Sequence, residues 1–280
     1  MDTNIVAYFN GKYLPLDKIH ISPFDRGYMF ADGIYEVIPV WNNHAFGLAE
    51  HIQRLNKSLT AIDLTIIEPI NWQKIIENLI QHNSDAQGKD LSIYIQVTRG
   101  VRIPREHSVP DNLTPQILVT SQTISPAKKY LSAITLEDIR WGRCDIKSIA
   151  LLASSMLKQQ AQARGADDAI LIKDGYVTES TSSNVFVVKN NSVYTPPASC
   201  KILSGITRYK VMQLLLTHNI KCIEQEITTE FLLQADEIWL TSSTKEIVAI
   251  NKLNNSSINS NQNYPLYQEA SKLLQESKRA

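Results

Sequence analysis

A lysine amine attacks a carbonyl only when it is neutral, so a catalytic lysine needs burial or cationic neighbours. Lys147 lies in the run Arg143-Cys144-Asp145-Ile146-Lys147-Ser148, with Arg140 close by and Ile146 and Ile149 as apolar flanks. Most lysines are simply solvated, and spacing alone leaves that alternative open. Glu179 opens the hydroxyl-rich run Ser180-Thr181-Ser182-Ser183. It is either a solvated turn residue or the partner of a heterocyclic nitrogen. Three further features suit an anion. Ser204-Gly205-Ile206-Thr207 stands directly before the predicted helix TRYKVMQLLLTHN, where unpaired N–H groups gather. Thr241-Ser242-Ser243-Thr244 follows the apolar strand EIWL and offers N–H and O–H donors. A plain N-cap and a plain polar turn would account for these two loops on their own. Arg54 falls between Ile52 and Leu55 on a predicted helix, beside its buried stripe, and there it needs an anionic partner, phosphate or carboxylate.

These residues must be held by a scaffold whose elements the sequence outlines. Asn10-Gly11 between IVAYF and KYLPL, and Asn42-Asn43 between IYEVIPVW and HAFGL, mark two hairpins. Leu48, Ile52, Leu55, Leu59 and Ile62 recur at helical steps, and INWQKIIENLIQHN predicts a second helix. LSIYIQVTRG and PQILVTSQ read as strands. SQTISPAKKY, near 121–130, is polar and contains Pro126, and is read as a linker. It divides the chain into a smaller amino-terminal α/β domain, 1–122, and a larger carboxy-terminal one, 123–280. Beyond it come the strand SAITLEDIRWG and a helix over about 150–164 closed by Gly165. Hairpins then turn at Asp174-Gly175 and Asn190-Asn191, and the helix after Gly205, strand KCIEQEI, short helix TEFLLQ and strand DEIWL complete the reading. Strands and helices do not alternate strictly, which favours an α+β arrangement over a doubly wound parallel sheet.

Composition narrows the class of function. The 280 residues are 43% hydrophobic and 20% charged, and 28 Lys plus Arg balance 28 Asp plus Glu. No basic block suggests nucleic acid, and no stretch approaches the roughly 20 apolar residues a membrane span needs. The start MDTNIVAYFNGKY lacks the basic and apolar regions of a signal peptide. Cys144, Cys200 and Cys222 are odd in number and lack metal-ligand spacing, so they read as reduced thiols of a cytoplasmic protein that holds no metal. His20, His44, His51, His82 and His218 fall on predicted surface turns or helices and carry no assigned role.

Together these pieces resemble the fold-type IV pyridoxal-phosphate enzymes, the class IV aminotransferases, and among them the D-amino-acid aminotransferases, over nearly the whole chain. The family's long signature is matched by Glu179, Asn184, Val185, Phe186, Val193, Thr195, Leu203, Gly205, Ile206 and Arg208. Residues 143–148 match its lysine segment and residues 25–37 its amino-terminal segment. The resemblance implies two α/β domains with pyridoxal 5'-phosphate at their interface. It makes Lys147 the Schiff-base lysine and proton carrier, and Glu179 the residue that keeps the pyridine nitrogen protonated. Arg54, Ile206, Thr207 and Ser243 would hold the phosphate, Leu203 would pack on the ring face, and Tyr35 would line the substrate side. Arg105 and His107, after the strand ending Thr98-Arg99-Gly100, match the pair that binds the substrate carboxylate. In the family this loop reaches the neighbouring subunit's site, which implies a homodimer. The implied reaction is transamination between D-amino acids such as D-alanine and 2-oxo acids such as 2-oxoglutarate. Branched-chain L-amino-acid or (R)-amine transaminases and aminodeoxychorismate lyase, of the same fold, are the alternatives. The sequence departs from the pattern twice. The loop before Arg105 is one residue longer, making Arg102 a second candidate for the carboxylate, and Ser180 stands where glycine is commoner.

Overall fold

A computed structural model describes residues 5–83, 89–110, 113–126, 128–259 and 263–278. Met1–Asn4 of the amino terminus read above, and Ala127 of the predicted linker, lie outside the described residues. The chain divides into two compact units, one of Met1–Ser125 with Ile146–Ala150, the other of Pro126–Asp145 with Leu151–Ala280.

The first unit contains, in chain order, β1 (Val6–Phe9), β2 (Lys12–Pro15), the short helix α1 (Arg26–Phe30), β3 (Gly33–Trp41), β4 (His44–Ala45), α2 (Leu48–Ala61), α3 (Trp72–His82), β5 (Leu91–Thr98) and β6 (Gln116–Thr123). Its six strands form one antiparallel sheet in the order β2-β1-β6-β5-β3-β4. The expected hairpins form where Asn10, Gly11, Asn42 and Asn43 adopt positive φ, the conformation that such turns require. The apolar stripe of α2 packs on β3 and that of α3 on β1 and β6, so that Leu55, Leu59, Ile76 and Leu79 share one core with Ile34, Ile38, Ile93 and Ile95.

The second unit runs β7 (Tyr130–Glu137), α4 (Leu152–Ala163), β8 (Asp168–Lys173), β9 (Tyr176–Ser180), β10 (Asn184–Lys189), β11 (Ser192–Thr195), α5 (Ile206–Thr217), β12 (Cys222–Glu224), α6 (Thr229–Leu233), β13 (Glu237–Ser242), β14 (Glu246–Leu253), β15 (Ser256–Ser257) and α7 (Pro265–Ser277). Its strands make a mixed sheet in the order β12-β11-β10-β13-β14-β7-β8-β9, with β15 pairing β14. Parallel pairs β11/β12, β14/β7 and β7/β8 sit among antiparallel hairpins. This is the mixed α and β arrangement that non-alternating elements favoured. β14 and α7 are additions to the sequence reading. For α7 the missed signal is Pro265 at its first turn, and Glu237 accepts the exposed N–H groups of Leu266 and Tyr267 at 3.1 and 2.8 Å.

The segment holding Lys147 corrects the sequence reading, which put it in the carboxy-terminal domain. Its backbone bonds explain why it groups with the first unit. Tyr35 N–H donates to Lys147 O at 3.0 Å, Ile149 N–H donates to Gly33 O at 3.0 Å, and Ile34 bridges Ser148. A Cβ at Gly33 would meet Val97 O at 2.7 Å and Ile149 Cδ1 at 3.0 Å, so glycine permits this close approach.

Candidate functional site

In the first unit Lys147 stands over an aromatic face, its Nζ 4.1 Å from the Tyr35 ring centroid. The Tyr35 ring in turn lies 5.8 Å from that of Tyr94. Lys147 N–H donates to Ser58 Oγ at 3.3 Å, which ties the lysine's backbone to α2. Strand alternation puts Glu36, the neighbour of Tyr35, on the opposite face of β3, where it is completely buried. Arg54 answers it with two parallel bonds, Nε to Oε1 at 2.7 Å and Nη2 to Oε2 at 2.8 Å. The carboxylate partner that the sequence left open for Arg54 is therefore realised within the unit, by a residue that sequence reasoning did not single out. His51, one helical turn before Arg54, is also buried, with Nδ1 2.8 Å from Glu36 Oε2. This corrects its reading as a surface histidine: α2 turns His51 and Arg54 to one face, and Glu36 satisfies both. Burial by itself would raise the Glu36 carboxyl, but the bonds and charge of Arg54, then His51 and Lys147, hold it at about 2. Burial lowers His51 despite Glu36.

The carboxylate-binding candidates lie on the connection between β5 and β6. Arg102 Nη2 donates to Glu106 Oε2 at 2.9 Å, whereas the exposed Arg105 lies against the Phe30 ring, 4.6 Å from its centroid. Among the described residues Arg105 has no ion-pair partner. The His107 ring lies 5.0 Å from the same phenyl group.

In the second unit Glu179 ends β9 and is buried. Its Oε2 accepts from Leu203 N–H and from Asn184 Nδ2, each at 3.1 Å, and its Oε1 from Arg140 Nη1. Arg140 is itself gripped by Asp138, through Nε at 2.9 Å and Nη2 at 2.7 Å. Sequence reasoning offered Arg140 only as a cation near Lys147 along the chain, and the structure spends it on Asp138 and Glu179. Burial pushes the Glu179 carboxyl above its usual range even though Arg140 and the Leu203 N–H draw it down. One more positive charge facing this carboxylate would complete the compensation, and a protonated ring nitrogen has that chemistry.

Asn184 also connects Glu179 to the start of α5. Its Nδ2 donates to Leu203 O at 2.8 Å, and a Cβ at Gly205 would meet its Oδ1 at 2.0 Å. Gly205 caps α5 without a side-chain hydrogen bond, so the first helical N–H groups, Ile206 and Thr207, have no partner within the helix. β10 pairs Asn184 with Thr241 of β13, and Ser243 begins the turn two residues on. The two hydroxyl loops thus meet around Asn184, which their spacing along the chain could not show. Ser183 Oγ and Thr241 Oγ1 are buried without a hydrogen-bond partner among the described residues. A helix start with spare N–H groups, beside hydroxyl donors lacking acceptors, fits a phosphate. The donor set therefore fits pyridoxal phosphate at both ends, acid for the ring nitrogen and donors for the phosphate.

The described residues hold no cluster of His, Cys, Asp and Glu able to bind a metal, and no helix long and apolar enough to cross a membrane. All three cysteines are free thiols.

Comparison with known proteins gives a consistent picture. The family model for amino-transferase class IV matches residues 33–253. D-alanine aminotransferase of Bacillus licheniformis is 42% identical over 275 residues, covering 96% of this chain and 95% of that protein. The D-alanine aminotransferase of Staphylococcus aureus strain N315 is 36% identical over 263 residues, with 90% of each chain covered. Among solved structures, the branched-chain amino acid aminotransferase of Escherichia coli superposes with a TM-score of 0.88 at 19% identity, covering 95% of this chain and 92% of that one. A PLP-bound hypothetical aminotransferase from Mycobacterium tuberculosis gives 0.85 at 21% identity, with 96% and 97% covered. At such identities the structural matches speak for the fold.

Proposed function

The chain belongs to the class IV aminotransferases, and from that premise we propose that it transfers amino groups between D-amino acids, D-alanine foremost, and 2-oxo acids such as 2-oxoglutarate, using pyridoxal 5'-phosphate. The observation that carries the substrate side is the 42% identity to a D-alanine aminotransferase across 96% of the chain. Arg105, exposed beside His107 and without an ion-pair partner among the described residues, supports it, since a planar guanidinium suits bidentate binding of an α-carboxylate.

Pyridoxal phosphate, when bound, supplies a protonated pyridinium ring that accepts electrons from the carbon losing its proton. Every other part of the chemistry falls to the chain. We assign Lys147 Nζ to hold the cofactor, then to take the proton from substrate Cα and return a proton from one side only, which fixes the D configuration. Glu179 keeps the ring nitrogen protonated, and Arg140 and Asn184 keep Glu179 oriented. The N–H groups of Ile206 and Thr207, with Thr207 Oγ1, Ser243 and Arg54, bind the phosphate. Leu203 packs on the ring, and Tyr35 lines the substrate side. Arg105 and His107 bind the substrate carboxylate.

The same reading makes the enzyme a cytoplasmic homodimer in which each Arg105–His107 loop serves the partner's lysine. Co-expressed Lys147→Ala and Arg105→Ala subunits test it. Mixed dimers regain activity if the loop acts on the partner, and stay inactive if it acts within its own chain. The substrate assignment is tested with purified protein. Transfer from D-alanine to 2-oxoglutarate should exceed transfer from L-leucine, and an equal or faster L-leucine rate would turn the reading to a branched-chain L-aminotransferase. Cofactor absorbance in the near-visible, abolished by borohydride in wild type and absent from Lys147→Ala, checks the lysine.

A further inference from the structure

β5 and β6 are adjacent antiparallel strands, yet residues 99–115 connect them where a few residues would suffice. A long connection of this kind on a rigid sheet is where binding residues are usually carried. The loop is exposed from Ile103 to Val109, but its backbone is not left to solvent. At its start, Arg102 N–H donates to Phe24 O at 3.2 Å, Arg26 N–H donates to Gly100 O at 2.9 Å, and Asp25 bridges Val101. Beyond Pro104 the hold passes to one buried side chain. Arg26 Nη1 donates to Glu106 O at 2.7 Å and to Ser108 O at 3.3 Å, and its Nη2 donates to His107 O at 3.1 Å.

Three consecutive carbonyls therefore converge on one guanidinium, immediately after Arg105. The guanidinium is itself fixed from behind. Arg26 Nε pairs with Asp32 Oδ2 at 2.8 Å, and the same oxygen receives Arg99 Nε at 2.8 Å. Arg99 then donates to Ile62 O at 2.6 Å and Asp63 O at 3.0 Å, at the end of α2. Asp25 caps α1, with Oδ1 accepting from Gly27 N–H at 2.7 Å and Oδ2 from Thr98 Oγ1 at 2.8 Å. Phe30, one turn beyond Arg26, presents its ring to Arg26 at 4.9 Å, to Arg105 at 4.6 Å and to the His107 ring at 5.0 Å.

We propose that Arg26 is the positioning residue of the substrate-carboxylate grip, setting where Arg105 and His107 stand, with Phe30 as the platform beneath them. This rests on the reading of Arg105 and His107 as carboxylate binders. Glu106 and Phe24 O hold Arg102 at the start of the loop, while the clamped carbonyls keep Arg105 in register on Phe30.

The test compares wild type, Arg26→Lys and Arg26→Met as holoenzymes by steady-state kinetics with D-alanine and by amide hydrogen exchange over residues 101–110. Losing charge-assisted bonds to three carbonyls should raise the D-alanine KM about tenfold or more in Arg26→Met and change kcat by less than about threefold. Exchange in the loop should quicken by a similar factor. Arg26→Lys keeps the charge but lacks the fork, so it should fall between the two on both readouts. An Arg26→Met enzyme with unchanged KM and unchanged loop exchange overturns the assignment. So does one whose kcat falls with its cofactor absorbance while KM stays put, since that marks a merely structural residue. Wild type that does not turn over D-alanine defeats the functional reading itself. Wild type that does, paired with a variant of unaltered KM, defeats only the role of Arg26.

Discussion

Glu36→Gln removes the charge from a completely buried carboxylate while leaving Arg54 and His51 facing it. Arg54, held bidentately at 2.7 and 2.8 Å, is the main reason the Glu36 carboxyl overcomes its own burial and sits at about 2 instead of 4.5. That fall corresponds to roughly 3 kcal/mol of native-state preference for the charged form, at about 1.4 kcal/mol per pH unit. A lowered folded-state value means that the stabilisation is complete above pH 4.5 and is lost as pH falls toward 2. Glu36→Gln should therefore lose about 3 kcal/mol at pH 7, the size expected when one partner of a buried pair is removed. The assay is urea unfolding of wild-type and variant holoenzyme at pH 7, 5 and 3.5. The difference should hold between pH 7 and 5 and narrow at 3.5. His51, kept low by burial, also weakens the fold in acid from near its ordinary 6.5 downward. Glu36 opposes that lowering, so wild type and variant are compared in a His51→Gln background to isolate the carboxylate. A difference below about 1 kcal/mol at pH 7, or one that stays constant to pH 3.5, would refute the reasoning.

Four other substitutions probe the remaining parts of the site. Glu179→Gln keeps the shape but cannot balance a protonated ring nitrogen, so kcat should fall about 100-fold with cofactor still bound; activity within tenfold of wild type would contradict the assignment. Gly205→Ala puts a Cβ 2.0 Å from Asn184 Oδ1, which Asn184 cannot vacate without loosening its bonds to Glu179 and Leu203. Cofactor affinity, read by fluorescence titration, should drop together with about 1–3 kcal/mol of stability. Arg105→Ala should raise the D-alanine KM by about tenfold or more, whereas Arg102→Ala, which removes an exposed i,i+4 pair, should change it by less than about threefold. The reverse order would make Arg102 the carboxylate reader.

The sequence by itself determined whatever depends on neighbours along the chain. Asn10-Gly11, Asp174-Gly175 and Asn190-Asn191 turn their hairpins because these residues tolerate positive φ locally. The stripe on α2 is a property of 3.6-residue periodicity. The family pattern through Glu179, Gly205 and Lys147 is carried by residue types in order, and it was legible before any contact was known. What only the tertiary structure decided is which groups face one another across the sheet. Glu36 drew no notice, because an acid in the middle of IYEVIPVW signals nothing until α2 lays Arg54 and His51 over it. His51 looked like one more helical histidine for the same reason. Arg140 stands seven residues before Lys147, yet its charge goes to Asp138 and Glu179, the latter 39 positions away. Arg26 and the carbonyls of 106–108 are separated by about 80 residues and brought together by β5 pairing with β3. A buried charge takes its partner from whatever the packing brings within about 3 Å, and that choice is not written in the spacing of either residue.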